Sequence, residues 1–347
     1  MTEKQRFANV LTGKSVDRFP VQIGMSHSAR KKYQEHYHLP DAELCEIQNP
    51  GNGYVVCGCT DLMPNSNKPG DQDADWYDEL GVGWKKDKTK DIGAINTVAP
   101  IRNVEDIKNY RFPNAATRYS FADLTETIRK NKSKTYFIAN QASGTFFNKY
   151  RFLRGFEEGL VDMMIHQKEA LYLLDQLLEW QLELARRYIQ AGVDGVTTGD
   201  DVALQKGLVI NPDIWRKLIK PRQKKLNQIY KDAGLTVIHH CCGDCRSIIK
   251  DYIETGVDCL NPVQPEAMPI EKLIEEFGAN ICFYGGVGVQ SVMQHGTPAE
   301  VDKATEKTIR TLGKHGRYIV APSHTMQDCI PCENVRAFFE AIDKYNR

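Results

Sequence analysis

The sequence predicts an α/β protein, a (β/α)8 TIM barrel with an N-terminal extension and an insertion over the barrel mouth. Short β-branched or apolar runs alternate with long amphipathic stretches, the pattern of a parallel sheet with helices outside. Eight such runs can be counted, which is the number that closes a barrel. Polar, metal-capable side chains recur where several of those runs end.

The first run, residues 20–24 (PVQIG), follows the N-terminal extension. The others are 53–59 (GYVVCGC), 136–141 (YFIANQ), 195–199 (GVTTG), 236–242 (TVIHHCC), 259–263 (CLNPV), 281–285 (ICFYG) and 318–323 (YIVAPS). The clearest helix spans 212–233: Asn211 caps it, Pro212 starts it, and Ile214, Leu218, Ile219, Leu226 and Ile229 form its apolar stripe. Further helices are expected at 157–192, 246–256, 270–278, 298–313 and 332–345, several ending at glycine. Residues 62–118 are rich in Asp, Lys, Asn and Pro, break the alternation, and are read as the insertion. The whole chain, 1–347, is expected to be one domain.

Forty-five basic side chains balance 45 acidic ones, so no long-range field favours nucleic acid or an anionic membrane. The start, MTEKQRFANVLTGK, lacks an apolar core of signal-peptide length, and no run of about 18 apolar residues occurs. A cytoplasmic protein is expected, with its ten cysteines reduced. Their clustering (Cys57 with Cys59; Cys241, Cys242 and Cys245; Cys329 with Cys332) suggests metal binding or reactivity rather than disulfides.

The run 236–242 ends in His240 and Cys242, which share one face of a strand and can close on one metal ion. His239 and Cys241 have the same spacing on the opposite face, and parity does not choose between the pairs. Other strand ends carry Asp200 and Asp201, Asn261 and Gln264, and Ser323 and His324. In a barrel these positions converge at the C-terminal mouth, where active sites lie. Asp200 or Asp201 could equally serve as a cap, and Asn261 could bond backbone.

Several segments resemble the uroporphyrinogen decarboxylase superfamily, in particular its zinc-containing methyltransferases that work with corrinoid proteins. They are LRGFEEGLVDM (153–163), GDDVALQKGLVINPDIWRKLIKPR (199–222), HHCCGDCRSIIKDYIETGVDCLNPVQ (239–264), GGVGVQSVMQHGTPAEV (285–301) and APSHTMQDCIPCENV (321–335). The resemblance is strong from about residue 153 onward and weak before it. It implies a TIM barrel, and its His-x-Cys-Gly metal motif falls on His240, Cys242 and Gly243.

In the thiol-methylating branch a third ligand, a cysteine, stands where this chain has His324. The resemblance therefore leaves three readings: His324 is the third zinc ligand, Cys329 supplies it, or His324 is a free acid. It implies zinc and a corrinoid carried by a partner protein as cofactors. The expected reaction is O-demethylation, in which the methyl of a small methoxylated compound, most plausibly aromatic, passes to a Co(I) corrinoid. Asp200, Asp201 and His324 are the expected catalytic residues, while Asn261, Gln264, Phe146 and Tyr150, together with Phe147 and Trp76, are expected near the substrate.

Methyl transfer from a methylcobamide to a thiol of the coenzyme M type is the alternative, and a non-catalytic metal-binding barrel is a third. Porphyrin decarboxylation is disfavoured, because the stretch after the first run, GMSHSARKK, offers only Arg30 and lysines to pair with substrate carboxylates. The insertion is expected to form part of the corrinoid protein's docking surface, and the resemblance allows a homo-oligomer.

Overall fold

The computed structural model describes residues 1–63, 72–86, 93–141 and 144–347. Seven parallel strands form one sheet in sequence order: β1 (Tyr54–Cys57), β2 (Tyr136–Asn140), β3 (Gly195–Gly199), β4 (Thr236–His240), β5 (Cys259–Val263), β6 (Cys282–Val287) and β7 (Tyr318–Pro322). They match the predicted runs to within two residues at either end, β6 running on to Val287, and helices connect them on the outside. β6 and β7 are buried at every position, as expected when a barrel interior covers one face of a strand and helices cover the other. Together they make the expected TIM barrel.

The run at 20–24 departs from the prediction. It lies beside β7, yet makes only isolated bridges, Val21 to Val320 and Met25 to Met326. Its Ile23 N–H donates at 2.9 Å to the Gln48 carbonyl, at the end of helix Asp41–Gln48, so that donor is lost to the sheet ladder. Pro20 has no N–H to give.

The predicted helix at 212–233 is two helices, Pro212–Leu218 and Lys220–Asp232. Pro221 explains the break, because its ring excludes the preceding turn's hydrogen bond. The stretch 157–192 likewise divides, at His166, into Phe156–Ile165 and Gln167–Ala191.

Two apolar clusters hold the barrel. The larger fills the layer between sheet and helices. The smaller lies inside the barrel, with Ile138, Ile238, Cys259, Cys282 and Ile319, and it is covered by Phe7, Val10 and Leu11 of the N-terminal helix Glu3–Thr12. Phe7 stacks on Tyr54 at 4.5 Å and leans on Tyr136 at 5.3 Å, and these tyrosines begin β1 and β2. The N-terminal extension thus plugs the bottom of the barrel. Access to the interior is left to the C-terminal end, where the βα loops lie.

The insertion belongs to the connection that leaves β1 at this end. Thr60–Asp61 pairs with Tyr119–Ser120 at its base, and a small antiparallel sheet (Trp76–Tyr77, Gly83–Lys86, Ala94–Val98) stands within it. Parts of the predicted segment, 64–71 and 87–92, lie outside the described residues. The rest is anchored to helix Phe147–Arg154: Trp84 packs edge-on to Phe152 at 4.9 Å, and Arg154 donates to the Ile101 carbonyl at 2.7 Å. Among the described residues no helix is long and apolar enough to cross a membrane.

Candidate metal centre

Register brings the site together. In the parallel ladder His240 is level with Gly199 on one side and with Asn261 on the other. Two residues further along, Asp201 and Cys242 are therefore neighbours across adjacent βα loops. One nitrogen of His240, the Cys242 sulfur and an Asp201 carboxylate oxygen all lie within 4.8 Å of one another. Specifically, His240 Nε2 is 3.4 Å from Cys242 Sγ and 3.7 Å from Asp201 Oδ1.

Each donor is held in place. His240 Nδ1 donates to Asn261 Oδ1 at 2.9 Å; since an amide oxygen only accepts, this fixes the proton on Nδ1 and turns the Nε2 lone pair toward the other two donors. Asp201 Oδ1 accepts the Cys242 N–H at 3.1 Å, and Asp201 Oδ2 accepts from Asn148 Nδ2 at 3.3 Å. The turn closes on Gly243 at φ 85°, where a Cβ would meet the Leu204 carbonyl oxygen at 2.6 Å. Gln264 accepts the Gly243 N–H at 3.2 Å. Asn261→Ala is expected to leave the fold intact and weaken zinc binding about 10–100-fold, the usual loss when a ligand histidine loses its orienting partner. Competition against a chromophoric chelator measures this, and unchanged affinity would refute the assigned role of Asn261.

The second candidate pair faces the other way. His239 is fully buried, its Nδ1 2.9 Å from Thr198 Oγ1 and its ring 4.4 Å from Tyr252, and burial lowers its pKa to about 3. Cys241 is buried beside Cys245. Both belong to the helix-facing layer.

The structure separates the two expected acids. Asp200 is 1% exposed, and its carboxylate accepts the backbone N–H groups of Thr145 (3.0 Å), Phe146 (2.9 Å) and Asn148 (3.0 Å). It holds the start of helix Phe147–Arg154, away from the cluster. Burial pushes its pKa up to about 6 while the N–H donors oppose the rise. Asp201 is the half-exposed member and faces the metal-donor atoms.

Phe146 and Tyr150 correct the substrate expectation. Both are fully buried in the core, and the Tyr150 hydroxyl donates to Asp162 at 3.0 Å. Phe147 is buried with them, and Trp76 stands in the insertion's small sheet. Phe146, Phe147 and Tyr150 follow β2 on the mouth side, and helix Phe147–Arg154 turns them inward.

Cys242 opens onto a cavity of about 340 Å³ whose lining includes Gln205, Gln264, Gln290, Gln294, Ser323, His324 and Cys329. His324 is exposed, its Nδ1 3.4 Å from the Thr325 carbonyl oxygen, and Cys329 is exposed too. Both expected third ligands thus border the cavity while standing outside the three-donor group. Asp201, expected as an acid or a cap, is level with Cys242 when the equal-length strands β3 and β4 are counted forward in register.

The donor set fits zinc: one imidazole, one sulfur and one carboxylate oxygen could supply three ligands, which would leave a fourth position open. Burial, followed by the Asp201 charge, pushes the Cys242 thiol up to about 12, so the sulfur needs a cation to become a thiolate.

Comparison with known proteins agrees with the fold. A methyltransferase from Methanosarcina mazei superposes over 100% of both chains with a TM-score of 0.71 at 17% identity. A methylcobamide:CoM methyltransferase from the same organism is 24% identical over 166 residues, 46% of this chain and 47% of that protein, so the chain spans about half the length of this relative. A uroporphyrinogen decarboxylase of Thermus thermophilus is 24% identical over 351 residues, 94% of this chain and 92% of that protein. The sequence pattern of the family described as uroporphyrinogen decarboxylase (URO-D) matches residues 81–345, which is most of the chain, and the chain therefore belongs to the uroporphyrinogen decarboxylase family.

Proposed function

We propose that this protein is a zinc-dependent methyltransferase that moves a methyl group from a small methoxylated compound to the Co(I) corrinoid of a partner protein. The observation that carries the proposal is the convergence of His240, Cys242 and Asp201 within 4.8 Å at the open end of a plugged barrel. Zinc held by His240, Cys242 and Asp201 would supply a Lewis acid to the ether oxygen, which would leave as alkoxide or phenolate as the Co(I) nucleophile takes the methyl. Asn261 orients the imidazole, and Asn148 and the Cys242 N–H orient the Asp201 carboxylate. To His324, exposed at the cavity edge, we assign protonation of the departing oxygen.

Decarboxylation of a porphyrin is poorly served. Among the described residues no lysine or arginine lines the cavity beside Cys242, and Arg30 is taken up by Asp41 at 2.8 Å and by Gln48. Buried Phe146, Phe147 and Tyr150 remove the argument for an aromatic sandwich, so the proposal requires the methoxyl group and leaves the ring open. Transfer between a methylcobamide and a thiol is the second reading, favoured by the name of the Methanosarcina mazei relative. The insertion, at the mouth side of β1, remains our choice for part of the corrinoid protein's docking surface.

The test is to incubate the zinc-loaded protein with cob(I)alamin and a panel of methoxylated compounds, following the absorption of methylcobalamin and the free alcohol or phenol. We expect both products in equal amounts. Neither product, together with methyl transfer from methylcobalamin to 2-mercaptoethanesulfonate, would replace the demethylation reading with the thiol one.

A further inference from the structure

Among the described residues Arg151, joined to the candidate centre through Asn148, has no anionic partner, and its setting is that of a binding group. It is half-buried in helix Phe147–Arg154, with its guanidinium carbon 4.7 Å from the Phe152 ring centroid and 5.8 Å from that of Phe156. Its Nε donates to Asn148 Oδ1 at 3.1 Å. Among the described residues no carboxylate lies within ion-pair distance of it, and none of them accepts a hydrogen bond from its Nη atoms. Three residues along, Arg154 shows the contrast: it is buried against Asp162 at 2.6 Å and donates to two carbonyls.

A guanidinium withdrawn from water without a counter-charge is destabilised unless a ligand supplies one. Burial accordingly lowers the Arg151 pKa, and the charges that oppose this are Asp201 and Asp200. The group also faces space, a cavity of about 320 Å³ bounded by Trp84, Ala94, Asn96, Phe152 and Phe156. Stacking on the rings and the Nε tether fix the guanidinium plane, and they leave the two Nη nitrogens as a fork that matches the two oxygens of an oxyanion.

One side chain joins this fork to the candidate metal centre. Asn148 Oδ1 accepts from Arg151 Nε and from the Asp201 N–H at 3.3 Å, while Asn148 Nδ2 donates to Asp201 Oδ2 at 3.3 Å. The fork is thereby held in a fixed relation to Asp201.

We propose that Arg151 binds an oxyanion, a carboxylate or sulfonate, carried by the methyl-transfer substrate at the end remote from the reacting group. This rests on the methyl-transfer reading and narrows it to singly anionic small molecules. One fork serves one oxyanion, not the several carboxylates of a porphyrin.

The experiment is calorimetric titration of the zinc-loaded full chain with 4-methoxybenzoate, with its neutral counterpart 4-methoxybenzyl alcohol, and with 2-mercaptoethanesulfonate, using wild type, Arg151→Gln and Arg151→Lys. A charge-assisted bidentate contact predicts that the wild type prefers at least one of the anions over the alcohol by about tenfold or more. The preference should fall to about twofold or less in Arg151→Gln and be partly recovered in Arg151→Lys, with melting curves showing both variants folded. The carboxylate arm assigns the site to a methoxylated acid, and the sulfonate arm assigns it to a thiol substrate. Absence of any anion preference in the wild type, or its survival in Arg151→Gln, overturns the proposal.

Failure of the methyl-transfer reading is seen separately. Anion preference that depends on Arg151, without methyl exchange with cobalamin from any compound, would keep the oxyanion site and remove the reaction.

Discussion

Cys242→Ser is expected to leave the barrel folded and to abolish metal-dependent methyl transfer. The side chain stands just after β4 in a turn whose backbone contacts, Cys242 N–H to Asp201 and Gly243 N–H to Gln264, do not involve its sulfur. A serine hydroxyl fits the space but does not ionise as a thiol does, so the site loses its anionic soft ligand. Zinc affinity should drop by more than the roughly 10–100-fold that loss of an orienting partner causes. A Lewis acid contributes several kcal/mol to a leaving oxygen, so the rate should fall on the order of 10³-fold or more. Zinc content after dialysis, the methylcobalamin assay and a melting curve check the three parts. A Cys242→Ser protein that retained stoichiometric zinc and activity would remove Cys242 from the centre.

Asp200→Ala is expected to do the reverse, attacking the fold first. Its carboxylate is the partner of the N–H groups of Phe146 and Asn148, which open helix Phe147–Arg154, it shares the Thr145 N–H with the Gly199 carbonyl, and the position is closed to water. Each buried N–H left without an acceptor costs about 1–3 kcal/mol, with partial relief from relaxation. A loss of about 3–5 kcal/mol in a urea titration is therefore expected, a large part of the stability of an ordinary domain. Asp200→Asn keeps one acceptor oxygen and should lose about half as much. Because Asn148 and Arg151 ride on the same helix, Asp200→Ala should also loosen the Asp201 side of the centre. An Asp200→Ala protein as stable as wild type would contradict the capping role, and a selective loss of catalysis at full stability would return Asp200 to the list of acids.

These two residues show how far the sequence could be read. The alternation of apolar runs and amphipathic stretches is dictated by a sheet buried on both faces, so seven strands emerge within a few residues of prediction. The eighth run, at 20–24, has the composition of a strand, but its Ile23 donor is diverted to Gln48, a contact between distant parts of the chain that composition does not encode. His240 and Cys242 followed from period-two geometry only once a family motif broke the tie with His239 and Cys241. Asp200 and Asp201 were visible as a pair, but their opposite fates depend on strand register and on a helix that follows β2, some fifty residues earlier. The burial of Phe146 and Tyr150 has the same cause, since helix Phe147–Arg154 encloses what a loop would have exposed. Arg151 gave no signal at all, because the absence of a partner is a property of three-dimensional surroundings.

The coordination sphere of bound zinc tests the central claim most directly. X-ray absorption of the purified full chain loaded with about one zinc per molecule should show one sulfur at about 2.3 Å and the remaining ligands nitrogen or oxygen at about 2.0–2.2 Å. Asp201→Ala should lose a light-atom ligand while keeping that sulfur. Two sulfur ligands would bring Cys329 into the sphere in place of Asp201. A sphere unchanged in Asp201→Ala but altered in His324→Ala would give the third position to His324 and contradict the centre described above.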